Sequence, residues 1–344
     1  MDVSAFDYEL PAASIAQSPA DTRDASRLLV IDRGRRAYND FTFAVVPEML
    51  HPGDCLILNE SKVIPARVLA ADAAGRPVEI LFVEPVTARA WRALVRPGRR
   101  CREGVELTAG GEGGARLRVV AVERDGARVV ERSEGTVMEL LDTLGMPPLP
   151  PYIAHHEKPG VEDRERYQTV YATAPGSVAA PTAGLHFTHA LLDRVAARGV
   201  EIHALTLHVG PATFQPIRAH DVESHTLPPE RVTISRDVAD AVNAARASRR
   251  RVVAVGTTTT RALEGAVTGD GRVSPLDGAV DLVIRPGHRF RVVDALLTNF
   301  HLPRSSLLVL VSSFAGRELI LDAYRHAIAA GYRFYSYGDA TLIV

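Results

Sequence analysis

Residues 63 to 132 form a succession of short segments in which apolar and polar positions alternate or β-branched residues dominate. These segments cover residues 63–70, 78–85, 90–96, 104–108, 116–123 and 128–132. Alternation of this kind is typical of half-buried strands, and Asp125-Gly126 between the last two segments is a strong signal for a tight hairpin. Six short strands at this spacing predict a small antiparallel β-barrel.

A helix is predicted directly after these strands. Thr136 is suited to an N-cap, and Glu139, three residues later, completes a capping box. Gly145, followed by Pro147-Pro148, is expected to end the helix.

In the rest of the chain, apolar residues recur at helical spacing, and helices alternate with apolar strand-like runs. Strands are predicted at 27–32, 54–58, 200–209, 251–255, 279–284 and 332–335, and helices at 188–198, 235–248, 258–267, 305–314 and 318–330. Such alternation indicates an α/β layer architecture. We therefore expect a mixed α/β domain, residues 1–60 and 153–344, with an inserted small antiparallel β-barrel domain and its trailing helix at residues 61–152.

Composition limits the classes of protein that this chain can belong to. A length of 344 residues with 46% hydrophobic residues favours more than one domain. No apolar run is long enough to span a membrane, and the N-terminus lacks an export signal, so the protein is expected to be cytoplasmic and to contact no membrane. Cys55 and Cys101 form no CxxC motif and His155-His156 has no ligand spacing, so no metal is expected. No obligatory protein partner is evident.

Arginine is concentrated locally although the net charge is only −1. Arg96, Arg99, Arg100 and Arg102 form one cluster, and residues 249–251 form another. Guanidinium groups pair well with phosphates, which makes the first cluster a candidate for contacts with RNA. A solvated surface is the alternative for each cluster.

The segment 176–188, GSVAAPTAGLHFT, is the strongest candidate for a ligand loop. Its small residues would let backbone approach a ligand closely, and Ser177, Thr182 and Gly184 are its candidate binding residues. His186 is its only group that titrates near neutral pH. A packing loop of small residues is the alternative.

A second candidate is the sequence RVVAVGTTTTRALE at 251–264, where a strand and Gly256 lead into a helix. Thr257 and Thr258 would lie at the helix N-terminus, where free N–H groups and hydroxyls suit an anion or a ribose. The sequence matches neither a Walker loop nor a dinucleotide fingerprint. Arg261 and Glu264 are candidate binding residues, and a surface ion pair is the alternative for them.

Three further sites follow predicted strands or turns. His208 ends a strand before a glycine loop, which is where α/β proteins place ligands, although a core histidine is equally expected. Asn299 and His301 flank Phe300, and these three side chains could read and stack on a base. Asp339 follows an aromatic C-terminal stretch for which core packing is the alternative.

Several long segments together resemble one family, the S-adenosylmethionine:tRNA ribosyltransferase-isomerases of queuosine biosynthesis. The matching segments are FDYELP (6–11), IAQSPADTRDASRLLVIDR (15–33), LNESKVIPARV (58–68), RYQTVYA (166–172), GSVAAPTAGLHFT (176–188), HVGPATFQPI (208–217), VGTTTTRALE (255–264), DALLTNFHLPRSSLLVLVSSFAG (294–316) and YRFYSYGDATLI (332–343). They span essentially the whole chain in one order. The family's fold, an α/β domain with an inserted β-barrel, agrees with the organisation predicted above.

The resemblance implies an unusual reaction. The family transfers and isomerises the ribosyl moiety of S-adenosylmethionine, a co-substrate, onto 7-aminomethyl-7-deazaguanine at the wobble position of tRNA, and adenine and methionine leave. A base must remove a proton beside the sulfonium, and His186 or else His208 is the candidate. The residues named above in the ligand loop, the threonine helix and the 299–301 turn, with Asp339, would bind co-substrate and base.

The chain departs from the family pattern at three places. Pro228 stands where relatives usually carry a second histidine, so no role can be given to such a histidine here, whereas His225 and Glu230 fit the pattern. Thr259-Thr260 and Thr341 replace commoner residues and are expected to be tolerated. A transferase acting on a free nucleoside or base, and a non-enzymatic RNA-binding protein of the same fold, are the alternative functions.

Overall fold

The computed structural model describes residues 1–156, 159–211 and 216–344, without the side chain of residue 161. The chain divides into two compact units. The first comprises Met1–Lys62, Gln168–Ala174 and Ala180–Val344, and the second comprises Val63–Tyr167 and Pro175–Ala179. Residues 153–167, which the expected boundaries assign to the α/β domain, lie within the second unit. There the guanidinium of Arg164 donates to the carbonyl of Gly145 at 3.2 Å, which ties this segment to the end of the barrel's helix.

The strands of the described residues are β1 to β17. They are Arg27–Asp32, Ala37–Thr42, Cys55–Asn59, Ser61–Val63, Arg67–Asp72, Pro77–Pro85, Ala90–Arg96, Glu106–Ala109, Ala115–Val122, Arg128–Arg132, Ala174–Ser177, Glu201–Leu207, Glu230–Ile234, Val252–Val255, Leu276–Val280, Ala295–Asn299 and Ala340–Ile343. The α-helices α1 to α8 are Val46–Met49, Val137–Leu144, Val161–Arg166, His189–Ala197, Arg236–Ala247, Thr257–Gly265, Ser306–Ala315 and Arg317–Ala329.

The second unit contains a closed antiparallel barrel in the strand order β10-β7-β6-β5-β8-β9. All six strands were predicted from alternation, because the inward positions are apolar. Val68, Ile80, Phe82 and Val119 are fully buried in the barrel core. The hairpin at Gly126 (φ 90°) and the capping box of Thr136 and Glu139 are confirmed.

A nine-stranded mixed sheet organises the first unit, in the order β15-β13-β12-β3-β14-β16-β17-β1-β2. Its centre is parallel: β12 pairs with β3, β3 with β14, and β14 with β16. The predicted mixed α/β fold with a small antiparallel barrel is therefore confirmed.

The parallel centre places the carboxyl ends of four strands at one edge of the sheet. These ends are Asn59, Leu207, Val255 and Asn299, from β3, β12, β14 and β16. The antiparallel partner β17 begins at the same edge, because Ala340 pairs with Asn299. In open α/β sheets ligands bind beyond this edge, so the fold itself indicates where a site should lie.

The predicted strand at 332–335 is wrong. Tyr335 has φ 77°, and its carbonyl closes a turn by accepting from the N–H of Gly338 at 3.0 Å. The rings of Tyr332 and Phe334 pack against Phe300, with centroids 5.4 and 4.6 Å apart, so the aromatic pattern reflects core packing. The last strand is instead β17, and the strand predicted at 279–284 is β15, Leu276–Val280.

Strands β2, β4, β11, β13, β16 and β17 were not predicted. None of the helices among the described residues is long and apolar enough to cross a membrane.

Candidate active site

A small cleft lies in the first unit at the carboxyl edge of the parallel strands. It is lined by Ala180, Pro181, Thr182, Ala183, Val209, Gly256, Thr257, Thr258, Thr298, Asn299, His301, Leu307, Tyr335 and Ser336. Five predicted binding residues meet here: Thr182, Thr257, Thr258, Asn299 and His301. Neither a carboxylate nor a lysine or arginine is among these lining residues. The lining is mostly apolar, and its polar side chains are hydroxyls, one amide and one imidazole.

The N-terminus of α6 supplies one wall of the cleft. Gly256 has φ 95°, a conformation that residues with a Cβ rarely adopt, and this sharp turn leads β14 directly into the helix. The hydroxyls of Thr259 and Thr260 bond back to the carbonyls of Val255 and Gly256. The first N–H groups of a helix have no partner within it, so this end offers donors and a partial positive charge to a ligand.

Asn299 links the opposite walls of the cleft. Its Oδ1 accepts from the Thr182 hydroxyl at 3.0 Å, and its Nδ2 donates to the carbonyl of Tyr335 at 3.2 Å. The same Nδ2 lies 3.1 Å from Nε2 of His186. Asn299 is only 3% exposed, so these bonds hold its amide in one orientation.

His186 lies behind Asn299 and is not among the residues that line the cleft. Its Nδ1 lies 2.7 Å from the Ser26 hydroxyl, and its ring stacks on Phe43 with centroids 4.9 Å apart. Burial, with the nearby charges of Arg333 and Arg23, lowers the pKa of His186 to about 3. Both ring nitrogens are engaged, so this arrangement leaves no lone pair free to take a proton from a ligand.

His301 reaches the cleft itself. Its Nε2 lies 3.0 Å from the Thr298 hydroxyl, and burial lowers the pKa of His301 to about 3, so the ring is neutral at physiological pH. Its neighbour Phe300 is fully buried in the aromatic core described above. The expectation that Phe300 stacks on a base is therefore wrong.

His208 follows β12 and is not itself among the residues that line the cleft, although the next residue, Val209, is. Burial and the nearby Arg231 lower the pKa of His208 to about 4. Within the described part of the chain its buried Nδ1 has no hydrogen-bond partner. Thr213 and Phe214, in the motif that follows, lie outside the described residues.

Arg261 and Glu264 do not form the surface ion pair that was the alternative for them. Arg261 is buried and pairs with Glu230, whose other oxygen accepts from the N–H of Gly210 at 3.0 Å. Glu264 accepts from the backbone N–H groups of residues 291, 292 and 293. Both side chains lie outside the cleft lining and stabilise the segments around it.

Three other predicted binding residues also lie outside the cleft lining. Ser177 belongs to the second unit, where it is fully buried at the end of β11. Asp339 accepts from the backbone N–H groups of Arg27 and Arg333, both at 2.8 Å, and so holds the C-terminal turn. Gly184 packs against Tyr171, which explains why no side chain fits there.

The arginine cluster lies in the second unit on and after β7. Arg96, Arg99 and Arg102 are exposed. Arg100 is half-buried, lies 3.5 Å from the Asp72 carboxylate and donates to the carbonyl of Pro77 at 2.7 Å. Its guanidinium is therefore already paired within the barrel. Among the described residues no group of three or more histidines, cysteines or carboxylates could hold a metal ion.

A family model for a queuosine biosynthesis protein matches residues 3–343. The chain belongs to the queuosine biosynthesis protein family. Two relatives named S-adenosylmethionine:tRNA ribosyltransferase-isomerase span it fully or nearly so. The one from Symbiobacterium thermophilum is 49% identical and covers 100% of both chains, and the one from Thermus thermophilus is 50% identical and covers 99% of both.

A solved structure extends this family likeness. It is the S-adenosylmethionine tRNA ribosyltransferase from Thermotoga maritima, which is 35% identical, covers 99% of this chain and 100% of its own, and has a TM-score of 0.57. The substitutions at Thr260 and Thr341 are accommodated, since their hydroxyls bond to the backbone carbonyls of Gly256 and Thr298.

Several residues of this region were not predicted from the sequence. Ser26, Tyr335 and Ser336 meet the site only through contacts far apart in the chain, and the alternation of aromatic residues near Tyr335 indicated a strand. Its positive φ is a signal that only the structure provides.

Proposed function

We propose that this protein transfers and isomerises the ribosyl moiety of S-adenosylmethionine onto 7-aminomethyl-7-deazaguanine at the wobble position of tRNA, with release of adenine and methionine. Full-length identity of about 50% to relatives named for this activity supports the reaction. The cleft is the observation that supports a location for this reaction. It brings together candidate binding residues from three separate motifs: Thr182, Thr257, Thr258, Asn299 and His301.

The cleft suits S-adenosylmethionine chemically. The N-terminus of α6 offers N–H donors to a carboxylate or to ribose hydroxyls, and Thr257 and Thr258 add their own hydroxyls. Ala180 and Ala183 have short side chains, so a nucleoside can approach the backbone of this part of the cleft. The positively charged sulfonium meets no cationic side chain among the lining residues.

The reaction begins with removal of a proton from C5′ of the ribose, which the adjacent sulfonium acidifies. Of the two histidines proposed from the sequence, His208 is our candidate for this base, because its Nδ1 has no partner among the described residues. Its lowered pKa keeps the ring neutral near pH 7, and a neutral imidazole can accept a proton. His301 and Asn299 are assigned to the edge of adenine or of the deazaguanine.

The anticodon loop is single-stranded at the wobble position, so a base can be splayed out without melting a duplex. Arg96, Arg99 and Arg102 are exposed and are our candidates for contacts with its phosphates. Arg100, which the sequence grouped with them, is instead assigned to holding the barrel through Asp72.

Adenine release from S-adenosylmethionine tests the proposal. The purified protein is incubated with tRNA that carries the precursor, with the free precursor base, or with neither, and adenine is measured by chromatography. Release only with tRNA is expected. Release with the free base would support a small-molecule transferase, and no release in any arm would support a non-catalytic RNA-binding protein.

The base assignment is tested in the same assay. His208→Asn should lower kcat by about a hundredfold or more, because a positioned base contributes on that scale. His189→Asn, at an exposed position on α4, is the matched control and should keep normal turnover. Normal turnover of His208→Asn would show that His208 is not the base, and it would not contradict the proposed ribosyl transfer.

A further inference from the structure

A single chain of hydrogen bonds runs behind the cleft between two backbone carbonyls. Nδ2 of Asn299 lies 3.2 Å from the carbonyl oxygen of Tyr335 and 3.1 Å from Nε2 of His186. Nδ1 of His186 lies 2.7 Å from the hydroxyl of Ser26, which in turn lies 3.3 Å from the carbonyl oxygen of Arg23. The two end groups are 312 residues apart in sequence, and all five residues lie in the first unit.

The two carbonyls fix the direction of every bond in this chain, since a carbonyl oxygen can only accept. The Tyr335 carbonyl requires the amide nitrogen of Asn299 beside it, and the second amide hydrogen then points at Nε2 of His186. Nε2 must therefore be unprotonated, which places the single ring proton of a neutral imidazole on Nδ1. That proton goes to Ser26, whose own hydroxyl donates to the Arg23 carbonyl.

The opposite direction of these hydrogen bonds is unfavourable at the contact between Asn299 and Tyr335. If Ser26 donated to Nδ1, the ring proton would lie on Nε2 and the amide of Asn299 would have to turn over. Its oxygen would then face the carbonyl oxygen of Tyr335 at 3.2 Å, so a contact between two acceptors would replace the hydrogen bond from Asn299, while the Tyr335 carbonyl would still accept from the N–H of Gly338. The reverse direction therefore loses one buried hydrogen bond and brings two partially negative oxygens together.

The orientation of the Asn299 amide determines what it offers to a ligand. With its nitrogen held by Tyr335 and His186, Asn299 turns Oδ1 towards Thr182, which donates one hydrogen bond at 3.0 Å. A carbonyl oxygen accepts two hydrogen bonds, and among the described residues Thr182 is the one donor to Oδ1, so one acceptor position remains on a residue that lines the cleft. Neither Ser26 nor His186 is among the lining residues.

We propose that Ser26 and His186 are positioning residues that fix the Asn299 amide so that its oxygen accepts a hydrogen bond from an O–H or N–H donor of the substrate. A ribose hydroxyl and an exocyclic amine both carry such a donor. The proposal rests on the proposed function for the identity of the ligand, but the hydrogen-bond direction is a property of the protein alone.

The position of the ring proton is measured by long-range ¹H–¹⁵N correlation spectra of protein labelled at histidine. The wild-type ring of His186, assigned by its loss in His186→Gln, should carry its proton on Nδ1. In Asn299→Asp a carboxylate replaces the donor, so Nε2 should become protonated. A wild-type proton on Nε2 would overturn the proposal, as would an unchanged tautomer in Asn299→Asp. The wild-type spectrum decides even if the variant does not fold, and it needs no turnover.

The effect on the ligand is measured by a double-mutant cycle in the adenine-release assay. Ser26→Ala should lower kcat/KM about tenfold, the scale of one oriented hydrogen bond, and should have no further effect when Asn299 is already alanine. Ser312→Ala, which removes a buried hydroxyl in α7, is the matched control and should leave kcat/KM unchanged. An equal loss from Ser26→Ala in both backgrounds would show a purely structural role, and no loss in wild type would also overturn the proposal.

Discussion

Gly184→Ala should disturb the segment that carries both Thr182 and His186. A Cβ built on Gly184 would overlap the Tyr171 hydroxyl and would lie 2.8 Å from Thr169 Cγ2 and 3.0 Å from Tyr171 Cζ. Real Cβ atoms do not approach other atoms this closely, so the 182–186 turn or the Tyr171 ring must shift. Overpacking of this kind costs about 1–3 kcal/mol, and three such contacts place Gly184→Ala near the upper end, at about 3 kcal/mol.

A second substitution tests the cause. Tyr171→Phe removes the atom with the worst overlap and leaves the other two, so the double variant Gly184→Ala/Tyr171→Phe should recover about half of the loss. Tyr171→Phe alone should be neutral or slightly stabilising, because its buried hydroxyl has no hydrogen-bond partner among the described residues.

Stability is measured by urea denaturation followed by far-UV circular dichroism. Fluorescence of Trp91, the chain's single tryptophan, follows the barrel unit and should be unaffected. Gly269→Ala is the control, since a Cβ there meets nothing within 4 Å. Wild-type stability of Gly184→Ala, or no recovery in the double variant, would refute the packing argument.

Two further predictions concern charge. Burial would raise the pKa of Glu264, but the His288 imidazole, whose Nε2 lies 3.6 Å from the carboxylate, and hydrogen bonds from three backbone amides outweigh burial and lower that pKa. The stabilisation by Glu264 is therefore present above pH 4.5 and is lost as pH falls through the lowered value. Glu264→Gln should cost about 2 kcal/mol at pH 7 and progressively less in acid, measured by denaturation against pH, and a pH-independent difference would contradict this. Arg99→Ala/Arg102→Ala should reduce the salt dependence of tRNA binding by about two units of slope, whereas Arg325→Ala should not, and an unchanged slope in the double variant would exclude these contacts.

The barrel could be predicted strand by strand because each strand has one face in the core and one in water. The hairpin at Gly126 and the caps at Thr136 and Thr188 were predictable for a similar reason, since they depend on residues within four positions of each other. Local pattern was misleading at the C-terminus. There the aromatic residues around Phe334 fill the core from a turn, and the adjoining strand β17 has no alternation because it is buried on both faces.

The cleft could be predicted only in part. Thr257 and Thr258 were identified because they follow a buried strand, and parallel strands bring such positions to one edge of a sheet. Asn299 was identified only from its place beside Phe300, because β16 was not predicted. The separation of Arg261 from Glu264 was not predictable, because their partners Glu230 and the amides near residue 292 are about 30 positions away.

Ser26 was likewise not predictable, since its contact with His186 spans 160 residues. Sequence identified His186 as a titrating group, but its burial and its two partners determine that both of its nitrogens are already in use.

The most direct test of the central claim is the fate of two isotopic labels in S-adenosylmethionine. One preparation carries ¹⁴C in the ribose and the other in the methyl group, and each is incubated with the protein and precursor-bearing tRNA. We predict that ribose label enters the tRNA in proportion to the adenine released, while methyl label leaves with methionine. Methyl label in the tRNA, or adenine release without ribose label in the tRNA, would contradict the account.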